Sequence, residues 1–322
     1  MSAARGRDPR LAIVGAAGVV GSQIADLIGT RGFPCSELKL FGSEHGASDA
    51  VESGENRLPV EPLVSPADLG GFDIGFLAVS QSTAAEIIRA RPGPVLIDMS
   101  AAMRAPGAAP MAAPGVTARE RLRHLASEKV FAAPHPGAHA IATVLSALGI
   151  DSGFAGATVM MGASADGHES VSKLFSQSAE LLNARLELEE DETQAAFNVF
   201  TPEGERELAA AIVAQVAALM GGGPSLAVEV IRVPVFHGGA TTIYIAGDRE
   251  RWPARLRAAP GVLLLESDEP AELIDAIGNE AIVAKIGDGA GGAVVSCFYD
   301  SARLAAMAAL WLAENLTLLS SS

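Results

Sequence analysis

Leu11 to Ile28, LAIVGAAGVVGSQIADLI, constrains this chain more than any other stretch. Four apolar residues, Leu11 to Val14, run straight into Gly15, Gly18 and Gly21. Val20, Ile24, Leu27 and Ile28 then recur at helical spacing. A short apolar run that breaks at spaced glycines into an amphipathic helix predicts strand, tight turn, helix. The chemistry of such a turn is anion binding, because unpaired N–H groups at the helix start point outward and glycines let a pyrophosphate reach the backbone. The spacing is GxxGxxG rather than GxGxxG, and alone it also fits a plain packing turn. Its place at the head of an α/β chain favours a dinucleotide.

Composition excludes other classes. The 322 residues suffice for two domains with real cores, and 49% are hydrophobic. A net charge of −15 argues against nucleic acid and against acidic membrane surfaces as partners. No apolar run approaches the roughly 18 residues that span a bilayer. The N-terminal MSAARGRDPR lacks the apolar centre of a signal peptide, so the expected compartment is the cytoplasm. Cys35 and Cys297 give neither a disulfide framework nor metal-type spacing.

Further along, Glu37 to Phe41 predicts the second strand. In a Rossmann unit the residues just after it read the adenosine ribose or its 2′-phosphate. Here they are Gly42, Ser43, Glu44 and His45. Glu44 suits a free ribose hydroxyl and repels a 2′-phosphate, and it equally suits a solvated surface. Phe72 to Val79 predicts a third strand with a helix through Ile88, and Pro94 to Asp98 a fourth, leading to Arg104. Strand ends in such sheets face the ligand crevice, so Arg104 is a candidate anion ligand. Lys129 to Ala133 predicts another strand, and a helix with Ile141, Val144, Leu145 and Leu148 follows His135-Pro136-Gly137-Ala138-His139.

The second half changes character. Ser164 to Asn183 and Glu203 to Met220 have helical period, and Gly221-Gly222-Gly223-Pro224 stops the latter. Glu187 to Glu192 reads as a solvated acidic loop. Ala157 to Met161 has the small and apolar alternation of a strand. Leu226 to Val235, Thr241 to Ala246, Val262 to Leu265 and Ala293 to Phe298 predict strands of a mixed sheet, before a final Ala-rich helix from Ala302 to Leu319.

These segments, in this order, resemble the aspartate-semialdehyde dehydrogenase family over nearly the whole chain. The resemblance is carried by GAAGVVG at Gly15, GFPCSELKLFGS from Gly32, LIDMSAAMR ending at Arg104, AAPHPGAHAIATVLSAL from Ala132 and PVFHGG from Pro234. GASADGHESVSKLFSQSAELLN from Gly162, with FN at Phe197, is similar to the Usg-like branch, whose members lack the catalytic cysteine. The resemblance implies an N-terminal Rossmann domain at 1–134, joined by the C-terminal helix 300–322. It also implies an α+β substrate and dimerisation domain at 135–299, and a homodimer. The implied cofactor is NAD or NADP, held by Gly15, Ala17, Gly18, Val19, Val20, Gly21 and Ser43. The arginine that usually reads the 2′-phosphate after the second strand is absent, which leaves both nucleotides open.

The family's chemistry uses a cysteine thiolate that attacks the aldehyde, hydride transfer to NADP, and phosphate cleavage of the thioester. Carried over by position, the cysteine falls on Pro136 and its preceding asparagine on His135. The acid/base histidine falls on Gly239, the glutamine beside the thioester near Met161, and a helical Glu and Lys on Leu208 and Ala211. Arg232 matches the arginine for the substrate carboxylate and Arg104 the arginine for phosphate. No catalytic residue and no metal ligand set is therefore expected, although His135, His139, His168 and His237 could gather at one place. Two functions compete on these grounds. One is a degenerate enzyme that keeps a dinucleotide and binds a small anionic metabolite or regulates a partner. The other is an active oxidoreductase that transfers hydride to or from an aldehyde without a covalent intermediate. Restoring both lost groups, Pro136→Cys with Gly239→His, is the double substitution that separates the loss of residues from the loss of the site.

Overall fold

The predicted strand, turn and helix are the first β-α unit: β1 (Arg10–Val14) and α1 (Val19–Thr30), with Gly18 as the N-cap. The computed structural model describes residues 7–320 apart from 44–49, 106, 189–191, 248–249, 267–268 and 290. Glu44 and His45 lie outside the described residues. The chain divides into two compact units, 1–134 with 305–322 and 135–304.

The first unit continues with β2 (Glu37–Gly42), β3 (Ala50–Ser53), β4 (Asn56–Pro62), β5 (Ile74–Leu77), α2 (Gln81–Ala90), β6 (Val95–Asp98), α3 (Arg119–His124) and β7 (Val130–Ala132). Its seven strands lie in the order β3-β4-β2-β1-β5-β6-β7, and every pair except β3 with β4 is parallel. Parallel sheets need cover on both faces. Leu11, Ile13, Phe76, Ile97 and Phe131 pack with Ile24 and Leu27 of α1 and with Ala306, Ala309, Leu310 and Ala313 near the C-terminus. On the other side Ala12, Val14, Leu77 and Leu96 meet Ala84 and Ile87 of α2. The strands flanking β1 part in opposite directions, β2 to one side and β5 to the other. That is the switch point where Rossmann sheets open a ligand crevice, and the Gly15 turn sits at it.

The second unit holds α4 (Pro136–Leu148), β8 (Phe154–Met161), α5 (His168–Leu182), α6 (Glu205–Met220), β9 (Ser225–Arg232), β10 (Gly239–Ala246), α7 (Trp252–Arg257), β11 (Val262–Leu264), β12 (Ile282–Gly289) and β13 (Gly292–Tyr299). Its mixed sheet runs β11-β12-β13-β10-β8-β9. One face is buried: Val159, Ile243, Ile245, Val295 and Cys297 lie inside, and α4 packs on β10, α6 and α7. The other face leaves Phe154 and Tyr244 exposed. The last helix, α8 (Ser301–Ser320), starts on Asp300, whose Oδ1 accepts from the Ala302 and Arg303 N–H groups.

Several expectations change. The strand expected third is the fifth, because the β3-β4 hairpin precedes it, and β12 was not expected either. The helix expected from Ser164 begins at His168, after a separate turn at Ala163–Asp166 and Gly167 at φ +91°. Likewise Gly204 at φ +70° delays α6 to Glu205. The strand expected to reach Val235 stops at Arg232, ahead of Pro234, which has no N–H to donate. Glu192 is not merely solvated: it pairs with Lys173 at 2.9 Å.

The hairpin is locked to α1 without large side chains. Ser53 Oγ donates to the Ala25 carbonyl at 2.7 Å. A Cβ on Gly29 would lie 2.2 Å from Gly54 N and from Ser53 C. Gly29→Ala gains helix propensity worth roughly 1 kcal/mol. It also overpacks against backbone that cannot rotate away, which costs typically about 1–3 kcal/mol. The clash wins, so the variant's thermal midpoint, read by circular dichroism, falls by several degrees. An unchanged or higher midpoint would refute this packing.

Candidate functional site

At the glycine turn the three glycines do different things. Gly15 has φ +85°, and a Cβ there would stand 2.2 Å from the Ala78 carbonyl oxygen. Its N–H and that of Ala16 both donate to Phe41 O. A Cβ on Gly21 would lie 2.1 Å from Gly15 O, so α1 rests directly on the turn. Beside Gly18 the neighbours are only Gly15 O at 3.2 Å and Ala78 O at 3.8 Å. Gly15 and Gly21 are thus required by the fold itself, whereas Gly18 keeps room for something else to approach.

The first hydrogen bond down α1 is from Ser22 N to Gly18 O. The N–H groups of Val19, Val20 and Gly21 precede it and have no acceptor further back in the helix. Gly18 supplies no side-chain cap, and no acidic residue lies in the first turn. Nothing anionic from the helix competes for the N–H groups and the positive end of the dipole. Ala17, Gly18, Val19 and Val20 are half-buried, and Ser43 is exposed just past β2. The space and donor set fit a pyrophosphate.

Arg104 belongs to the same unit and follows β6. The signal missed in the sequence is Asp98, a charged residue closing a buried apolar strand. Its carboxylate is fully buried and accepts from Ser100 N at 2.9 Å, Ser100 Oγ at 2.6 Å and Met103 N at 2.8 Å. The loop so held aims Arg104 inward, where Nη2 donates to Met99 O at 2.8 Å and Nε to Ala133 O at 3.3 Å. Burial lowers the guanidinium pKa and the nearby Asp98 charge opposes this. These two bonds engage two of the five donors; the remainder are suited to an anion.

The second unit carries Arg232 at the end of β9. Backbone bonds with Phe200 in both directions, 2.7 and 3.2 Å, fix its position. Nη2 bonds Asp166 Oδ1 at 2.7 Å, while Nη1 is buried with no hydrogen-bond partner among the described residues. A buried donor left unpaired costs about 1–3 kcal/mol, which an acceptor brought by a ligand removes. Arg232 lines a cavity of about 340 Å³ together with Met161, Asp166, Lys173, Leu174 and Glu203. One wall is clamped by Gln177, another residue the sequence did not single out. Its Nε2 donates to Glu192 Oε1 and Thr193 O, and its Oε1 accepts from Ala195 N and Ala196 N.

The positions that the resemblance gives to catalysis are built for structure. Pro136 is the first residue of α4, where its fixed φ suits a helix start. His135 caps the helix: its Nδ1 accepts from Gly137 N at 3.1 Å, and its own N–H donates to buried Gln215. A Cβ on Gly239 would lie 2.9 Å from Ser301 Oγ and 3.0 Å from both Met160 O and Tyr299 Cε2. Tyr299 is itself buried and hydrogen-bonded to Thr241 at 2.8 Å. The space beside Gly239 is closed to an added side chain, so Gly239→His would have to displace these neighbours.

The four histidines do not assemble a metal site. His135 and His139 are buried on α4, whereas His168 and His237 are exposed. Among the described residues no three His, Cys, Asp or Glu side chains could hold a metal ion. Neither thiol is activated: burial pushes Cys297 up to about 12, and burial with the Asp8 charge raises Cys35. Among the described residues no helix is long and apolar enough to cross a membrane.

Residues 10–125 match the family model for the semialdehyde dehydrogenase NAD-binding domain, so the first unit is an NAD(P)-binding domain. A USG-1 protein homolog of Pseudomonas aeruginosa is 32% identical over 296 residues, 84% of each chain. The aspartate-semialdehyde dehydrogenase of Bacillus subtilis is 27% identical over 317 residues, 87% of this chain and 88% of its own. Among solved structures, a probable aspartate-semialdehyde dehydrogenase from Pseudomonas aeruginosa superposes with a TM-score of 0.85 at 28% identity, covering 96% of this chain and 98% of that one. With its Rossmann sheet, its second mixed sheet and these relatives, the chain belongs to the aspartate-semialdehyde dehydrogenase family, with the Usg-like proteins among its relatives.

Proposed function

We propose that this protein binds NAD or NADP and a small carboxylate but does not perform the family's thioester chemistry. The observation that carries the reading is the closed position at Gly239, where Tyr299, Met160 O and Ser301 occupy the space of an acid/base side chain. Loss of a nucleophile alone could be offset by a thiol elsewhere. Here Pro136 offers none, and Cys297, pushed up to about 12, stays protonated at neutral pH.

In this reading the N–H groups of Val19, Val20 and Gly21 hold the pyrophosphate. Gly18, whose own N–H donates to Gly15 O, leaves room for it to approach, and Gly15 shapes the turn. Ala17 and Ser43 border the nucleotide. The cofactor, when bound, supplies hydride chemistry, and the chain's own part is to bind and orient it. Arg104 and Arg232 are anion ligands for phosphate and carboxylate. No observation favours hydride transfer without a covalent intermediate over this reading.

The same reading makes the protein a cytoplasmic homodimer. What supports the dimer is the second sheet's uncovered face, with Tyr244 and Phe154 exposed on it, and the family resemblance.

Calorimetric titration is expected to show binding of at least one of NAD and NADP. Gly18→Asp is expected to abolish it while leaving the fold intact. Asp is a good N-cap, and its carboxylate would take the N–H groups meant for phosphate. Saturating nucleotide without heat, or full binding by Gly18→Asp, would overturn the assignment.

The unmodified protein is expected to give no phosphate-dependent reduction of NAD or NADP with aspartate semialdehyde. Iodoacetamide at pH 8 is expected to leave Cys297 unlabelled in the native state, since its thiolate forms only as pH approaches about 12. Measurable turnover, with labelling of Cys297 that stops it, would refute the degenerate reading. Light scattering at micromolar concentration is expected to give twice the chain mass; a monomer mass would count against the dimer.

A further inference from the structure

The cavity beside Arg232 differs in character from a site for a short, polar metabolite. Its buried wall is apolar: Met161 is 8% and Leu174 2% exposed. Phe200 and Val233 extend that surface. Met161 offers this wall apolar area and no strong hydrogen-bonding group. The polar groups lie at the rim, where Asp166, Lys173 and Glu203 are exposed.

Charge at that rim limits what the rest of a ligand can carry. Lys173 is the rim's cation, and Glu192 Oε1 already meets it at 2.9 Å. A second carboxylate on the ligand would face Glu203, while the nearby cations are already engaged, Lys173 by Glu192 and Arg232 by Asp166. The buried, unpartnered Nη1 of Arg232 is the strong donor that lacks an acceptor in this cavity wall among the described residues. At about 340 Å³ the cavity falls within the range of small-molecule pockets.

We infer that this cavity takes an amphipathic monocarboxylate: one carboxylate on Arg232, and an apolar body of the length of hexanoate's chain lying on Met161, Leu174, Phe200 and Val233. The inference rests on the reading of Arg232 as a carboxylate ligand and is independent of the dinucleotide turn. Each CH₂ that leaves water for an apolar wall strengthens binding about fourfold. The length of the apolar body, not a second charge, should therefore set affinity.

The test is calorimetry on the full-length chain with butanoate, hexanoate, succinate and neutral hexanamide. Hexanoate is expected to bind on the order of tenfold more tightly than butanoate, and more tightly than succinate or hexanamide. Arg232→Gln is expected to remove hexanoate binding while the circular dichroism spectrum and thermal midpoint stay those of the unmodified protein, which shows that the variant is folded. Met161→Gln, of similar volume, is expected to shrink the ratio of hexanoate to butanoate affinity while both still bind. Succinate binding more tightly than hexanoate would leave Arg232 as a carboxylate ligand and overturn the apolar inference alone. No heat from any carboxylate up to about 10 mM, well above the weakest useful Kd, would overturn the Arg232 reading with it. Hexanoate binding unchanged in Arg232→Gln would also overturn the inference.

Discussion

The first unit depends on backbone approaching backbone. At Gly15 and Gly21 there is no room for a single carbon: the spaces a Cβ would need are filled, at 2.2 and 2.1 Å, by the carbonyl oxygens of Ala78 and Gly15. Three elements, β1, α1 and the end of β5, are brought to one point there. Because they meet through main chain, the helix start is held rigid with its first N–H groups directed outward. The same geometry that packs the sheet therefore leaves those N–H groups open to an anion. Affinity for a nucleotide is then a by-product of the fold's tightest junction, independent of the residues at Pro136 and Gly239.

What is legible in the sequence follows from this. Apolar runs broken by glycine carry strong local signals, so β1, α1 and the parallel strands could be read from Leu11 to Val14, Ile74 to Leu77 and Val95 to Asp98. The β3-β4 hairpin could not. Its residues, AVES and NRLPVEP, are mostly polar, and it is held by Ser53 on Ala25 and by Gly29 against Gly54, contacts 25 or more residues apart in sequence. Neither a period nor a composition reports such contacts. β12 was hidden similarly, because AKIGDG reads as a turn until β11 and β13 flank it.

The site divides along the same line. Arg104 and Arg232 were identifiable as residues, but what organises them was not. Asp98 looks like a strand end in sequence, yet its three accepted hydrogen bonds set the loop that carries Arg104. Gln177 looks like one polar residue on an amphipathic helix, yet it pins the segment from Glu192 to Ala196 through both ends of its amide. The lack of a nucleophilic side chain at Pro136 was legible as a residue type. The closure of Gly239 was not, since it depends on Tyr299, Met160 and Ser301 converging from two other segments.

A chain with a net charge of −15 does not draw anions in by its overall field. Anion binding here has to be local, made of desolvated donors at fixed points. The candidate donors fit that requirement: backbone N–H groups at a helix start, and two arginines each accompanied by a carboxylate, Asp98 for Arg104 and Asp166 for Arg232. The acidic partner lowers each arginine's attraction for anions at long range. Asp166 also holds the Arg232 guanidinium directly, whereas the Arg104 guanidinium is oriented by the carbonyls of Met99 and Ala133. A small, correctly shaped anion gains hydrogen bonds at contact distance, whereas a polyanion meets the repulsion of the surrounding carboxylates first. On the proposed reading, selectivity for a compact ligand with a single carboxylate over nucleic acid or phosphorylated surfaces follows from the charge arrangement itself.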